Sequence, residues 1–135
     1  MKRNVLVVGE YKDWQLQKFE EKFEVKFLES IEMIPQMSLS DRQSVKVVAF
    51  QGHQGFDEIK FQLLPNLSLI SNFGVGFDAI DVAAASRRGV KVTNTPEVLS
   101  DATAEIGVLL ILGACRRAAE GIESAREGGW KWSAD

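Results

Sequence analysis

Five short apolar runs alternate with helix-forming segments too long to be hairpins, and this order constrains the fold more than any other feature. Asn4-Val5-Leu6-Val7-Val8-Gly9 is rich in β-branched residues and closes on glycine, as a strand buried on both faces does. Residues 25–28 predict a second, more exposed strand, 45–50 a third, 67–71 a fourth and 90–93 a fifth. Between them, residues 13–23 place Trp14, Leu16, Phe19 and Phe23 on one helical face. Residues 56–64 predict a helix ended by Pro65, and 81–88 a short helix with Gly89 as its C-cap. Residues 30–40 support only a short helical turn before or around Pro35. The longest helix is expected over 101–119, followed by a polar helix or turn reaching Gly128-Gly129. Strand and helix in strict alternation predict an α/β fold, a doubly wound parallel sheet of about five strands with helices on both faces.

At 135 residues and 45% hydrophobic content, the chain can bury one ordinary core. The net charge of −3, with Lys and Arg scattered, gives no electrostatic reason for nucleic acid or an anionic membrane as partner. The single cysteine, Cys115, excludes an internal disulfide and reads as a small core residue of the long helix. Met1-Lys2-Arg3-Asn4-Val5 lacks a following apolar stretch and is a poor signal peptide. About ten apolar residues around 108–112 fall short of the ~20 that span a bilayer. The expectation is a soluble, cytoplasmic protein.

Phe73-Gly74-Val75-Gly76-Phe77 follows the fourth strand, where open parallel sheets bind ligands. Two glycines let successive N–H groups turn toward an anion, and a carboxylate suits such a loop without any basic side chain. The alternative is a tight turn that needs glycine for positive φ. The loop is not a dinucleotide fingerprint: the third glycine is replaced by Ala79, and Asp78 would oppose a pyrophosphate. No other such spacing occurs in the chain, nor does the link after the first strand carry it. His53, the only histidine, has no His/Cys cluster around it, so no metal site is expected. Catalysis by His53 would need Asp57 or Glu58 to orient it; lining a substrate mouth and a plain loop residue are the other readings.

Ser100 or Asp101 is expected to cap the long helix, with Asp101 also complementing its dipole and Thr103 in its first turn. The body of that helix, residues 106–115, is apolar all round and must be covered on every side. At ~25 cal/mol per Å², exposing it would cost several kcal/mol, which calls for a further domain, a partner subunit or both. Trp130 and Trp132 point the same way.

These residues resemble the D-isomer-specific 2-hydroxyacid dehydrogenases, close to the glyoxylate/hydroxypyruvate reductase branch. The resemblance rests on Leu64-Pro65-Asn66-Leu67, Gly74-Val75-Gly76-Phe77-Asp78, Ile80-Asp81, Arg88-Gly89-Val90, Val92-Thr93-Asn94-Thr95-Pro96, Asp101-Ala102-Thr103-Ala104-Glu105, Arg116-Arg117 and Gly128-Gly129-Trp130. It is specific over about residues 45–132. It implies a flavodoxin-like substrate domain over 1–99. Residues 100–135 would be an interdomain and dimerisation helix at the start of a truncated Rossmann domain. It further implies substrate-carboxylate binding by the amides of Val75 and Gly76, next to Gly74, with Thr103 near the nicotinamide end of NAD or NADP. A homodimer would form through the 101–119 helix. The substrate would be a 2-keto acid such as glyoxylate or hydroxypyruvate, or its 2-hydroxy acid. The family's cofactor loop and its catalytic Arg, Glu and His match nothing here. The chain alone is therefore expected to be inactive, to bind the dinucleotide without tightness, and to carry no catalytic residue. Two other classes stand beside this reading. A free-standing carboxylate-binding module would bind glyoxylate or oxalate without nucleotide. A pairing partner of a full-length relative would associate through the helix and lose that ability on Leu110→Asp.

Overall fold

The computed structural model describes residues 3–53 and 55–129. Trp130 and Trp132 lie outside them. The chain divides into two compact units, residues 1–96 and 97–135.

The first unit is a five-stranded, wholly parallel sheet in the order β2-β1-β3-β4-β5. Its strands are β1 (Arg3–Gly9), β2 (Phe23–Leu28), β3 (Val47–Gln51), β4 (Leu69–Asn72) and β5 (Lys91–Thr93). Its helices are α1 (Asp13–Lys22), a 3-10 turn (Ile31–Gln36), α2 (Leu39–Ser44), α3 (Glu58–Leu63) and α4 (Val82–Arg87). This is the flavodoxin-like winding, in which the strand order reverses beside β1.

Alternation along the strands sends side chains to two cores. Leu6, Val8, Val48, Phe50 and Ile70 join Ile31, Ile34, Phe56, Phe61 and Ala84 on one face. Val5, Val7 and Ala49 pack under Tyr11, Leu16 and Phe19 on the other. β1 is therefore buried on both sides from Val5 onward, as its unbroken apolar run requires, and β2 is the half-exposed edge. Gly9 ends β1 at φ +120°, and a Cβ there would stand 1.6 Å from the carbonyl oxygen of Gln51. Only glycine fits.

Several boundaries differ from expectation for local reasons. Phe23 already belongs to β2, because the chain turns from helix to strand without a loop. α2 has no buried residue, so no apolar spacing announces it; Ser38 caps it by accepting from the Asp41 N–H at 3.1 Å. Phe56 lies outside α3, pairing with Ile80 as an isolated parallel bridge; Asp57 caps the helix by accepting from the Lys60 N–H at 3.0 Å. α4 ends in a complete Schellman motif. Gly89 takes φ +69°, its N–H donates to Ser86, and the Val90 N–H donates to Ala85 at 2.9 Å.

The second unit holds α5 (Ser100–Cys115) and α6 (Ala118–Arg126). The single helix expected over 101–119 is broken: Arg117 adopts the left-handed region at φ 51° and starts α6. A Cβ on Gly113 would lie 3.9 Å from the Ala118 Cβ, an ordinary contact, so the start of the next helix does not require glycine there. The expected cap is also displaced. Leu99 occupies the cap position in near-helical conformation with no side-chain bond, which leaves Ser100 and Asp101 inside the first turn. A side-chain cap needs an acceptor oxygen at that position, and leucine has none. No residue of α5 is buried, and Cys115 is exposed rather than a core residue. Among the described residues no helix is long and apolar enough to cross a membrane.

Candidate functional site

The loop after β4 is held by its carbonyls. Asn72, the last residue of β4, is the one buried polar side chain among the described residues, at 6% exposure. Its Nδ2 donates to the Gly76 carbonyl at 2.8 Å and to the Gly74 carbonyl at 3.3 Å. The Thr95 N–H also donates to Gly74, at 3.0 Å. Asn94 Nδ2 donates to the carbonyl between them, Val75, at 2.8 Å. Three successive carbonyls are thus occupied. In a trans peptide the next N–H points opposite to the carbonyl. The N–H groups of Val75, Gly76 and Phe77 are therefore turned away from these anchors, and none donates to another described residue.

Neither Gly74 nor Gly76 lies in the left-handed region. The turn does not demand glycine for its φ. A Cβ on Gly74 would meet Asn72 Nδ2 at 3.4 Å, an ordinary contact; one on Gly76 would meet Asp78 Oδ2 at 3.3 Å, slightly tight against an exposed side chain. What the two glycines supply is bare backbone beside outward-facing amides.

The base of the loop is anchored by aromatics. The Phe73 N–H donates to the Phe50 carbonyl at 2.8 Å, and the Phe73 ring stacks on Tyr11 with centroids 6.2 Å apart. Burial pushes the Tyr11 phenol up to about 12, so it stays neutral at physiological pH. Both rings line a cavity of about 390 Å³, with Trp14, Lys18, Phe19 and Thr95 among its other walls. The far end of the loop is tied to the segment after β3: the Phe56 N–H donates to Ala79, and the Asp81 N–H to Phe56.

The other candidates are placed as follows. His53 is exposed and makes no hydrogen bond or ion pair with a described residue. Asp57 caps α3, and Glu58 is bound by Arg87 and Arg88, so neither orients the imidazole. Among the described residues no group of three His, Cys, Asp or Glu is placed to hold a metal. Thr103 is exposed in α5, its N–H donating to the Leu99 carbonyl at 2.9 Å. Among the described residues, the N-termini of α1 and α4 have donors already taken by side chains, which sets them poorly for a pyrophosphate. At α1 the Gln15 side chain takes the Lys12 N–H at 2.9 Å, and at α4 the Asp81 carboxylate takes the Ala84 N–H at 2.8 Å. The anchoring roles of Asn72 and Asn94 were not read from the sequence. The signal available was an asparagine beside each element that borders the glycine pair.

The fold is a wound parallel α/β domain whose exposed loop amides lie beyond the carboxyl edge of the sheet, where such sheets bind ligands. The chain belongs to the D-isomer specific 2-hydroxyacid dehydrogenases, whose catalytic-domain model matches residues 5–127. It is 35% identical over 132 residues to a glyoxylate reductase of Pyrococcus furiosus, covering 97% of this chain and 39% of that one. Among solved structures, a 2-hydroxyacid dehydrogenase from Ketogulonicigenium vulgare superposes with TM-score 0.80 at 33% identity, over 96% of this chain and 41% of that one. An NADPH-dependent glyoxylate/hydroxypyruvate reductase of Sinorhizobium meliloti, in complex with citrate, gives TM-score 0.82 at 29% identity, over 96% and 39%. The chain spans about 40% of the length of the curated relatives it matches.

Proposed function

We propose that this chain is the substrate-carboxylate-holding part of an NAD(P)-dependent D-2-hydroxyacid dehydrogenase that reduces glyoxylate, hydroxypyruvate or a related 2-keto acid. Residues 1–99 are its substrate domain, and 100–135 lead toward the nucleotide-binding part. The observation that carries this reading is the pinned loop, whose carbonyls at Gly74, Val75 and Gly76 are all occupied. The amides of Val75 and Gly76 hold the carboxylate, and Gly74 keeps the approach open. The glyoxylate reductase relatives and the citrate-bound relative support a small carboxylate as ligand class.

Reduction of a 2-keto acid needs a hydride donor, a proton donor and a polarising cation. Tyr11 and Lys18 line the cavity that Phe73 shares, and the hydride donor is the cofactor's to supply. Thr103 is the chain's contact toward the nicotinamide end of the cofactor. The contribution of residues 73–77 is to bind and orient the carboxylate. Two charge-assisted hydrogen bonds give about 1.5–3 kcal/mol each before the cost of association. The cost of association offsets most of this, so a small dicarboxylate should bind weakly, with Kd above roughly 10 mM.

Calorimetry with oxalate in the absence of nucleotide tests the reading, alongside an assay of NADH or NADPH oxidation with glyoxylate. Weak, saturable binding without turnover supports it. Turnover by the chain alone would overturn the division of labour proposed here.

The bare apolar surface of α5 favours a pairing role as well. Ile106 and Val108 to Leu112 are each more than half exposed. We infer a homodimer through residues 101–119. Sedimentation should show concentration-dependent mass that Leu110→Asp abolishes; a monomer at all concentrations would count against it.

A further inference from the structure

We propose that Asn72 is a positioning residue for this site, one that acts through the loop without touching the ligand; the proposal rests on the carboxylate reading above. A polar side chain buried to this degree normally satisfies its own hydrogen bonds within the core. Asn72 instead spends its amide on the two glycine carbonyls that flank the Val75–Gly76 dipeptide, at 3.3 and 2.8 Å.

The two contacts are not equivalent. The Gly74 carbonyl has a second donor in the Thr95 N–H, whereas Asn72 is the single described donor to the Gly76 carbonyl. Glycine turns freely about φ and ψ, so an unheld Gly76 would sample several peptide orientations. The Gly74 carbonyl shares its peptide with the Val75 N–H and the Gly76 carbonyl shares its peptide with the Phe77 N–H, so from one buried point Asn72 orients the peptides on either side of the one that Asn94 holds, before any ligand arrives. Preorganised donors bind better because the ordering cost is already met in the free protein. Asn72 thereby supplies affinity without charge, which suits a loop whose outward groups are all neutral amides.

Asn72→Leu tests this, since leucine is close in shape, favours burial and removes the donor. Two readings are made on the 135-residue chain: the oxalate Kd by calorimetry, and the N–H orientations of Val75, Gly76 and Phe77 from residual dipolar couplings. The proposal expects at least a tenfold weaker Kd and altered or averaged N–H orientations, while β1, β3 and β4 keep their spectrum. A Kd within twofold of the wild type, with loop orientations unchanged, overturns it: Asn72 is then only a satisfied core residue. If the leucine variant does not fold, Asn72→Ser, whose hydroxyl is too short to bridge both carbonyls, is read by the same two measurements. Should the wild type itself fail to bind oxalate, the carboxylate reading fails, and the couplings alone decide whether Asn72 orders the loop.

Discussion

Asn94 donates its side-chain amide to the Val75 carbonyl across 2.8 Å, joining the end of β5 to the middle of the loop that follows β4. The two residues are 19 positions apart. Their bond fixes the peptide whose N–H belongs to Gly76, so adjacent strands of a parallel sheet cooperate to aim one backbone donor.

Replacing Asn94 with alanine should therefore loosen the middle of the loop more than the fold. The lost bond is solvent-exposed and contributes about 0.5–1 kcal/mol to stability, a few degrees in Tm. Oxalate affinity should fall roughly three- to tenfold by calorimetry, given an interaction of about 1 kcal/mol. Unchanged affinity would remove Asn94 from the site.

Asp78 acts in the opposite sense. Its carboxylate stands close to the Gly76 backbone, 3.3 Å from where a Cβ would be. A like charge there disfavours an anion. Asp78→Asn should tighten oxalate binding about two- to fivefold at low salt, and the gain should shrink as ionic strength shortens the Debye length to about 10 Å at 0.1 M. A salt-independent effect would mean that Asp78 acts through loop geometry.

Gly9→Ala should be among the most damaging single substitutions in the chain. The added methyl would collide with the Gln51 carbonyl, and φ +120° is closed to alanine. Because β1 and β3 are hydrogen-bonded there, the strand ends must part. A loss of roughly 2–4 kcal/mol is expected in urea unfolding, in line with strained backbone positions in a core. A loss below 0.5 kcal/mol would contradict the steric account.

Glu58 links α3 to α4 by accepting from Arg88 Nε at 3.0 Å and Arg87 Nη2 at 3.3 Å. The Arg88 hydrogen bond is the main cause holding its carboxyl below the usual glutamate value; the charges of Arg88 and Arg87 add to it, against some desolvation. A depressed folded-state pKa means stability that is present above the ordinary glutamate value and lost as pH falls through the folded value. The stability difference between wild type and Glu58→Gln should accordingly shrink on acidification below about pH 4. A difference that stays constant between pH 7 and pH 3 would show that the contact contributes through packing alone.

The fold was legible where side-chain alternation carried the signal. Val5 to Val8 announce a central strand because both faces of β1 are buried, and Gly89 announces the end of α4 because its Schellman motif needs positive φ. α2 was illegible because it buries nothing. The break at Arg117 was illegible because a non-glycine residue takes the left-handed conformation, against the usual preference. Cys115 misled in the same region: an apolar neighbourhood in sequence reads as a core, yet α5 covers no residue of its own. At the candidate site the glycine pair was visible, but not what aims it. Asn94 reaches Val75 because parallel pairing brings the ends of β4 and β5 together, and Asn72 is buried at the end of a strand flanked by β3 and β5.

The most direct test of the central claim is an ¹⁵N–¹H titration of the 135-residue chain with oxalate, with no nucleotide present. Saturable shifts centred on the amides of Val75 and Gly76, leaving α5 and His53 unperturbed, are the predicted result. No saturable change in residues 73–77 at oxalate concentrations well above the millimolar range, or saturation centred elsewhere, would contradict it.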